Sequence, residues 1–192
     1  MPYDSTATKK RLLDAALDEF AERGLSGARV DRIAENACAN KQAIYAYFGS
    51  KEGLFRAVLE ARCTSTLEAV PFNPADLPAF VGGLFDYLVE NPKLVRMTMW
   101  KQLELPEEEA EHEAAITRIR AIAEAYELGG APKPRAEDLF IILRGLSMAW
   151  FTCAPDPSAA KSPAVQQRLK SFKCSMMAAT DAIMKAMAQK KR

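Results

Sequence analysis

The sequence predicts an all-α chain. Ala, Leu, Glu and Lys fill its long stretches, β-branched residues are few there, apolar positions recur at helical spacing, and its 11 Pro and 9 Gly cluster between those stretches. With 192 residues, 49% of them hydrophobic and 27% charged, the chain has enough apolar side chains for a sizeable core in one domain or two small ones. Its 26 Lys plus Arg stand against 25 Asp plus Glu, a net charge of +1, so the total does not point to a polyanionic partner.

The first helix is expected from Thr8 to Arg23, with Leu13, Ala16, Leu17 and Phe20 on one face and Gly24 closing it in a positive-φ conformation. A helix of about two turns follows over Val30 to Ala37, with Val30, Ile33, Ala34 and Ala37 turned inward. The third starts after Asn40, whose side chain suits an N-cap, carries Ile44 and Phe48 inward and stops at Gly49. Ser50 then caps a longer helix from Lys51 to Ala69, marked by Leu54, Phe55, Val58, Leu59 and Arg62.

Three prolines between Val70 and Pro78 break the helical pattern. Beyond them helices are expected over Pro78–Glu90, Pro92–Leu103, Pro106–Leu128, Ala136–Cys153 and Ser162–Gln189, several with proline at or near the first turn. The fourth of these is apolar nearly all round through Leu139, Phe140, Ile141, Ile142, Leu143, Leu146, Met148, Ala149, Trp150 and Phe151, so one monomer buries it only in part. The last helix has a wide apolar face. Both segments are satisfied if the pair packs against its own copy in a homodimer.

Several chemistries are excluded or disfavoured. No apolar run approaches a membrane span and the N-terminus lacks a signal-like core, so a cytoplasmic protein with no membrane partner is expected. Cys38, Cys63, Cys153 and Cys174 are far apart with no C-x-x-C, and His112 is the single histidine, so no metal site is expected and the thiols read as reduced and mostly buried. No phosphate-binding glycine motif or acid–base constellation occurs, so no catalytic residue and no cofactor is assigned. A helical enzyme and a helical protein-interaction adaptor are the rival readings.

The second and third helices, joined by Cys38 and Ala39, have the layout of a helix-turn-helix. With Ile44 and Phe48 inward, the third helix leaves Lys41, Gln42, Ala43, Tyr45 and Tyr47 for its outer face or edges. In a major groove Gln pairs with adenine, Lys reaches guanine and Ala touches a thymine methyl, while Tyr hydroxyls suit phosphates. No acidic residue lies between Asn36 and Lys51, although residues 1–60 carry nine cations and nine anions.

The runs Leu12-Leu-Asp-Ala-Ala-Leu-Asp-Glu-Phe-Ala-Glu-Arg-Gly24, Val30-Asp-Arg-Ile-Ala-Glu-Asn-Ala37 and Ala43-Ile-Tyr-Ala-Tyr-Phe-Gly-Ser-Lys-Glu-Gly-Leu-Phe55 resemble the N-terminal domain of TetR-family transcriptional regulators. The resemblance covers about Lys10 to Ala57. It implies an N-terminal three-helix helix-turn-helix DNA-binding domain (1–51) and a helical C-terminal ligand-binding and dimerisation domain (52–192), with no enzymatic role. By position it implies a DNA surface of Arg29, Arg32, Asn40, Lys41, Gln42, Ala43, Tyr45, Tyr47 and Lys51, with Lys9 to Arg11 adding contacts from the arm. It also implies a dimer that represses from a palindromic operator and is released by a small-molecule effector.

Two positions depart from the family pattern. Cys38 stands where Gly is usual, so a strained φ is expected in the turn, and a redox role would need an exposed, electropositive setting. Arg29 stands where Thr is common, so the usual side-chain cap of the second helix is missing. In the C-terminal region Phe85, Met97, Trp100, Tyr126, Met148 and Phe151 are the aromatic and Met residues chosen as lining for a largely hydrophobic effector.

Overall fold

The computed structural model of the chain describes residues 5–105, 109–126, 134–153 and 162–189. Among them the secondary structure is helical, without strands: α1 (Ser5–Gly27), α2 (Val30–Asn36), α3 (Lys41–Phe48), α4 (Lys51–Ala69), α5 (Leu77–Glu90), α6 (Pro92–Glu104), α7 (Glu109–Ala125), α8 (Pro134–Cys153) and α9 (Pro163–Gln189). Parts of two expected features, Pro106 to Glu108 of the seventh helix and its closing Gly129-Gly130, lie outside the described residues.

The described helices form two compact units, one of Met1–Thr66 with Asn91–Glu107 and one of Leu67–Glu90 with Glu108–Arg192. This division falls elsewhere than the functional boundary expected after residue 51, because α4 and α6 both contribute to the core beneath α1. That core joins Leu12, Ala16, Phe20, Ile33, Ile44, Leu54, Phe55, Val58 and Met97, with Phe20 and Phe55 edge-to-face at 5.0 Å. Ala16 and Phe20 are fully buried as expected, but Leu12 is the fully buried residue of the first turns while Leu13 and Leu17 are only partly covered.

Gly24 takes the expected positive φ (69°) and closes the first helical run, and a further turn follows to Gly27, so α1 is two helical runs joined across a kink at this glycine. Helix α6 packs along α1 and grips this kink from successive turns. The Arg96 guanidinium donates to the Ala21 and Glu22 carbonyls, the Trp100 ring lies within 2.9 Å of where a Cβ on Gly24 would stand, and Glu104 Oε2 accepts from the Ser26 N–H at 2.9 Å. Carbonyls freed by the kink thus find donors, as a broken helix requires.

In the second unit α5 packs on α8 and α9, and α7 on α8. Asp76 caps α5 by accepting from the Ala79 N–H at 3.1 Å, which starts the helix at Leu77, one residue before the expected Pro78. A Cβ on Gly82 would stand 2.8 Å from Met177 Sδ, so the missing side chain is what lets α5 and α9 approach. Phe85, Trp150 and Phe172 stack in the core, with Phe85–Phe172 and Trp150–Phe172 centroids both 5.4 Å apart. The buried Ser147 and Thr180 hydroxyls donate to carbonyls four residues back, which satisfies them within their own helices.

Ile141 and Ile142 remain exposed on α8, at 66% and 42%. The four cysteines correct the expectation of buried thiols: all are exposed and none forms a disulfide. Cys38 occupies a turn, Cys153 ends α8, and Cys174 lies two residues from buried Met176, on the other side of α9.

Candidate nucleic-acid interface

The turn between α2 and α3 is built by hydrogen bonds that name its geometry. The Ala39 N–H donates to Ala34 O at 2.9 Å and the Cys38 N–H to Glu35 O at 3.0 Å, the paired bonds of a Schellman ending with Cys38 in the left-handed position. Its φ is 49°, the strained value expected where glycine is absent. The Ala37 carbonyl accepts from Arg11 Nε at 3.1 Å, while Arg11 Nη2 donates to Thr8 Oγ1. Arg11, expected in the DNA-contacting arm, is therefore engaged in closing α2. Lys9 stands over the Phe48 ring at 5.7 Å.

Asn40 caps α3 as expected, its Oδ1 accepting from the Gln42 N–H at 2.9 Å. Ile44 is fully buried and Phe48 partly, so the helix presents Lys41, Gln42 and Tyr45 to solvent, with Ala43 and Tyr47 at its edges. Gly49 (φ 75°) ends α3, and Ser50 Oγ accepts from the Gly53 N–H at 2.9 Å to start α4. A Cβ on Gly53 would meet the Phe48 carbonyl oxygen at 2.0 Å, so only glycine allows α4 to begin this close to the end of α3.

The side chains of Arg32, Lys41 and Lys51 in the predicted surface already have partners on the protein. Arg32 donates through Nε and Nη2 to Glu19 Oε1, a buried carboxylate on α1, and the same oxygen accepts from the Arg29 N–H at 2.9 Å. Glu19 thereby serves the first amide of the α2 end, where Arg29 supplies no side-chain cap. Burial pushes the Glu19 carboxyl pKa up, but the Arg32 and Arg29 bonds and the neighbouring Arg charges outweigh it and hold the group below the usual glutamate range. Lys41 pairs with Asp31 of α2 at 2.8 Å, which lowers the Asp31 carboxyl pKa and raises that of the ammonium. Lys51 Nζ donates to the Ala28 carbonyl at 3.2 Å and to that of Ser26 at 3.4 Å, tying the start of α4 to the α1–α2 loop. Glu19, Asp31 and these carbonyls escaped sequence reasoning because their partners are brought together only by tertiary packing.

The residues chosen as pocket lining do not gather in one place. Met97 is fully buried in the first unit and Trp100 packs against Gly24 there. In the second unit Phe85 and Phe151 are neighbours at 5.9 Å between ring centroids, Met148 is half-buried on α8, and Tyr126 is half-buried with its phenol pKa raised by burial. A shallow groove of about 220 Å³ beside Trp150 is lined by Arg168, Ser171, Phe172 and Ser175, and includes none of the six.

Two helices crossing at a tight turn, the second capped and showing polar side chains outward, define a helix-turn-helix DNA-binding protein. The sequence pattern described as "Bacterial regulatory proteins, tetR family" matches residues 12–58, and that described as "Tetracyclin repressor-like, C-terminal domain" matches residues 76–181. The chain belongs to the TetR family of transcriptional regulators, which are not enzymes. It is 40% identical over 161 residues to the HTH-type transcriptional repressor SCO4008 of Streptomyces coelicolor, covering 79% of this chain and 82% of that one. It is 35% identical over 103 residues to the HTH-type transcriptional repressor NicS of Pseudomonas putida, about half of each protein. The crystal structure of a transcriptional regulator, SCO4942 of Streptomyces coelicolor, superposes with a TM-score of 0.73 at 30% identity, covering 92% of this chain and 97% of that one. No described helix is long and apolar enough to cross a membrane.

Proposed function

We propose that this regulator is a homodimeric repressor that reads a palindromic operator with α3 and leaves it when a small, largely hydrophobic molecule binds the second unit. The observation that carries the DNA reading is the capped α3, whose outward side chains are an amide, a cation and phenols over a fully buried Ile44. Gln42, Ala43 and Lys41 read base edges, and Tyr45, Tyr47 and Arg29 hold phosphates. Asn40, Arg32 and Lys51 add to the surface mainly by holding α2, α3 and α4 in register, and Lys51 keeps its third N–H donor for a phosphate.

Repression is supported by the 40% identical relative, itself a transcriptional repressor. Pairing through α8 and α9 is supported by the exposed Ile141 and Ile142, which an ordinary monomer surface does not require. Phe85, Tyr126 and Phe151, which share one apolar cluster of the second unit, are the lining this reading assigns to the effector, with Met148 close to Phe151 in sequence on α8. A ligand acts only if it favours one of two head spacings over the other.

A gel-shift titration against the DNA upstream of the chain's own gene tests the reading. A saturable, salt-sensitive complex is expected, and its absence at every protein concentration removes the operator assignment. Sedimentation of the same protein should give a dimer. A thermal-shift screen of apolar compounds then finds the effector class through ligand-linked stabilisation.

A further inference from the structure

Lys41 is the first residue of α3, where a recognition helix meets the groove, and its ammonium lies 2.8 Å from Oδ1 of Asp31, the second residue of α2. Both side chains are about half exposed, so the pair sits on the surface that faces DNA in the proposed reading. Two backbones place it. A carboxylate is favoured in the first turn of α2, whereas a cation in the first turn of α3 opposes the helix dipole, and Asp31 compensates that opposition.

The pairing distinguishes two uses of the lysine. A cation that neutralises a phosphate strengthens binding to any sequence and steepens its salt dependence by about 0.9 per contact. A lysine already paired keeps two N–H donors, but the carboxylate beside it offsets much of its charge and repels nearby phosphates. Guanine acceptors carry no net charge, so contact with a base edge meets far less of that repulsion.

We infer that Asp31 is a positioning residue for specificity: its carboxylate steers Lys41 away from phosphates and toward base edges, lowering affinity for random DNA relative to operator. The inference rests on the proposed DNA face. It also gives meaning to the near-neutral head, whose anions work beside its cations instead of merely diluting them.

The full chain, its Asp31→Asn and Lys41→Gln variants and the double variant are titrated by fluorescence anisotropy over a KCl series. The probes are a random-sequence duplex and a duplex recovered by in vitro selection with the unmodified protein. Asp31→Asn should bind the random duplex about fivefold more tightly at low salt, steepen its salt slope by about one and lower discrimination to match. In the Lys41→Gln background the same change should leave the slope unaltered. An equal gain in both backgrounds assigns the effect to general charge and overturns the inference, as does no gain in either. If Lys41→Gln alone alters binding to neither duplex, the placement of Lys41 on DNA fails as well, which separates that failure from a failure of Asp31 alone.

Discussion

The indole of Trp100 lies against Gly24, within 2.9 Å of where a β-carbon at position 24 would stand. The contact explains why this aromatic residue, chosen as pocket lining from composition, belongs to the first unit. Gly24→Ala meets both a left-handed φ of 69° and the ring, so it should destabilise the protein by about 2–3 kcal/mol. Urea titration followed by tryptophan fluorescence measures the loss, and an unchanged midpoint would mean that the kink relaxes without cost.

Cys38 invites the opposite change. Its φ of 49° is one glycine adopts freely, so Cys38→Gly should stabilise the head by about 1 kcal/mol and raise its melting temperature by about 2–4 °C. Cys38→Val, a β-branched residue at the same φ, should lower it. A calorimetric series on the three proteins checks the order.

Glu19 links the head to pH. Because its folded-state pKa lies below the usual value of 4.5, its stabilisation is present above the unfolded-state pKa and is lost as pH falls through the lower folded value. Glu19→Gln should therefore be less stable at neutral pH and should lose less on further acidification. Chemical denaturation at several acidic pH values measures both limbs. Parallel acid limbs in the two proteins contradict the assignment.

Residues of the recognition surface should separate by role. Gln42→Ala should reduce discrimination between operator and random DNA by about 1–3 kcal/mol with little change in melting. Tyr47→Ala and Lys51→Ala should weaken both kinds of DNA alike. Lys51→Ala should also lower the melting temperature, since the Ser26 and Ala28 carbonyls lose a donor. Equal loss of discrimination from all three would argue against these roles.

What was legible in the sequence is what local chemistry decides. Asn40 and Ser50 cap the helices they precede, Gly24 and Gly49 take positive φ, and the order and approximate bounds of the helices follow from apolar spacing and proline placement. Partners far along the chain were not legible. Nothing near Arg32 in sequence announces Glu19, and nothing near Arg11 announces the Ala37 carbonyl. The same limit explains Met97 and Trp100: their apolar character points to packing against a core, but not to which unit's core.

The bond from the Ser26 N–H to Glu104 spans 78 residues, and the intervening chain leaves the first unit to contribute α5 to the second. During synthesis α1 to α4 therefore emerge well before α6, the helix that packs along α1. Until Met97 and Trp100 arrive, α2 to α4 cover α1 only in part, and the carbonyls beside Gly24 lack the Arg96 donor. A recombinant head ending at Thr66 lacks these α6 contacts, so it should melt below the same head within the full chain.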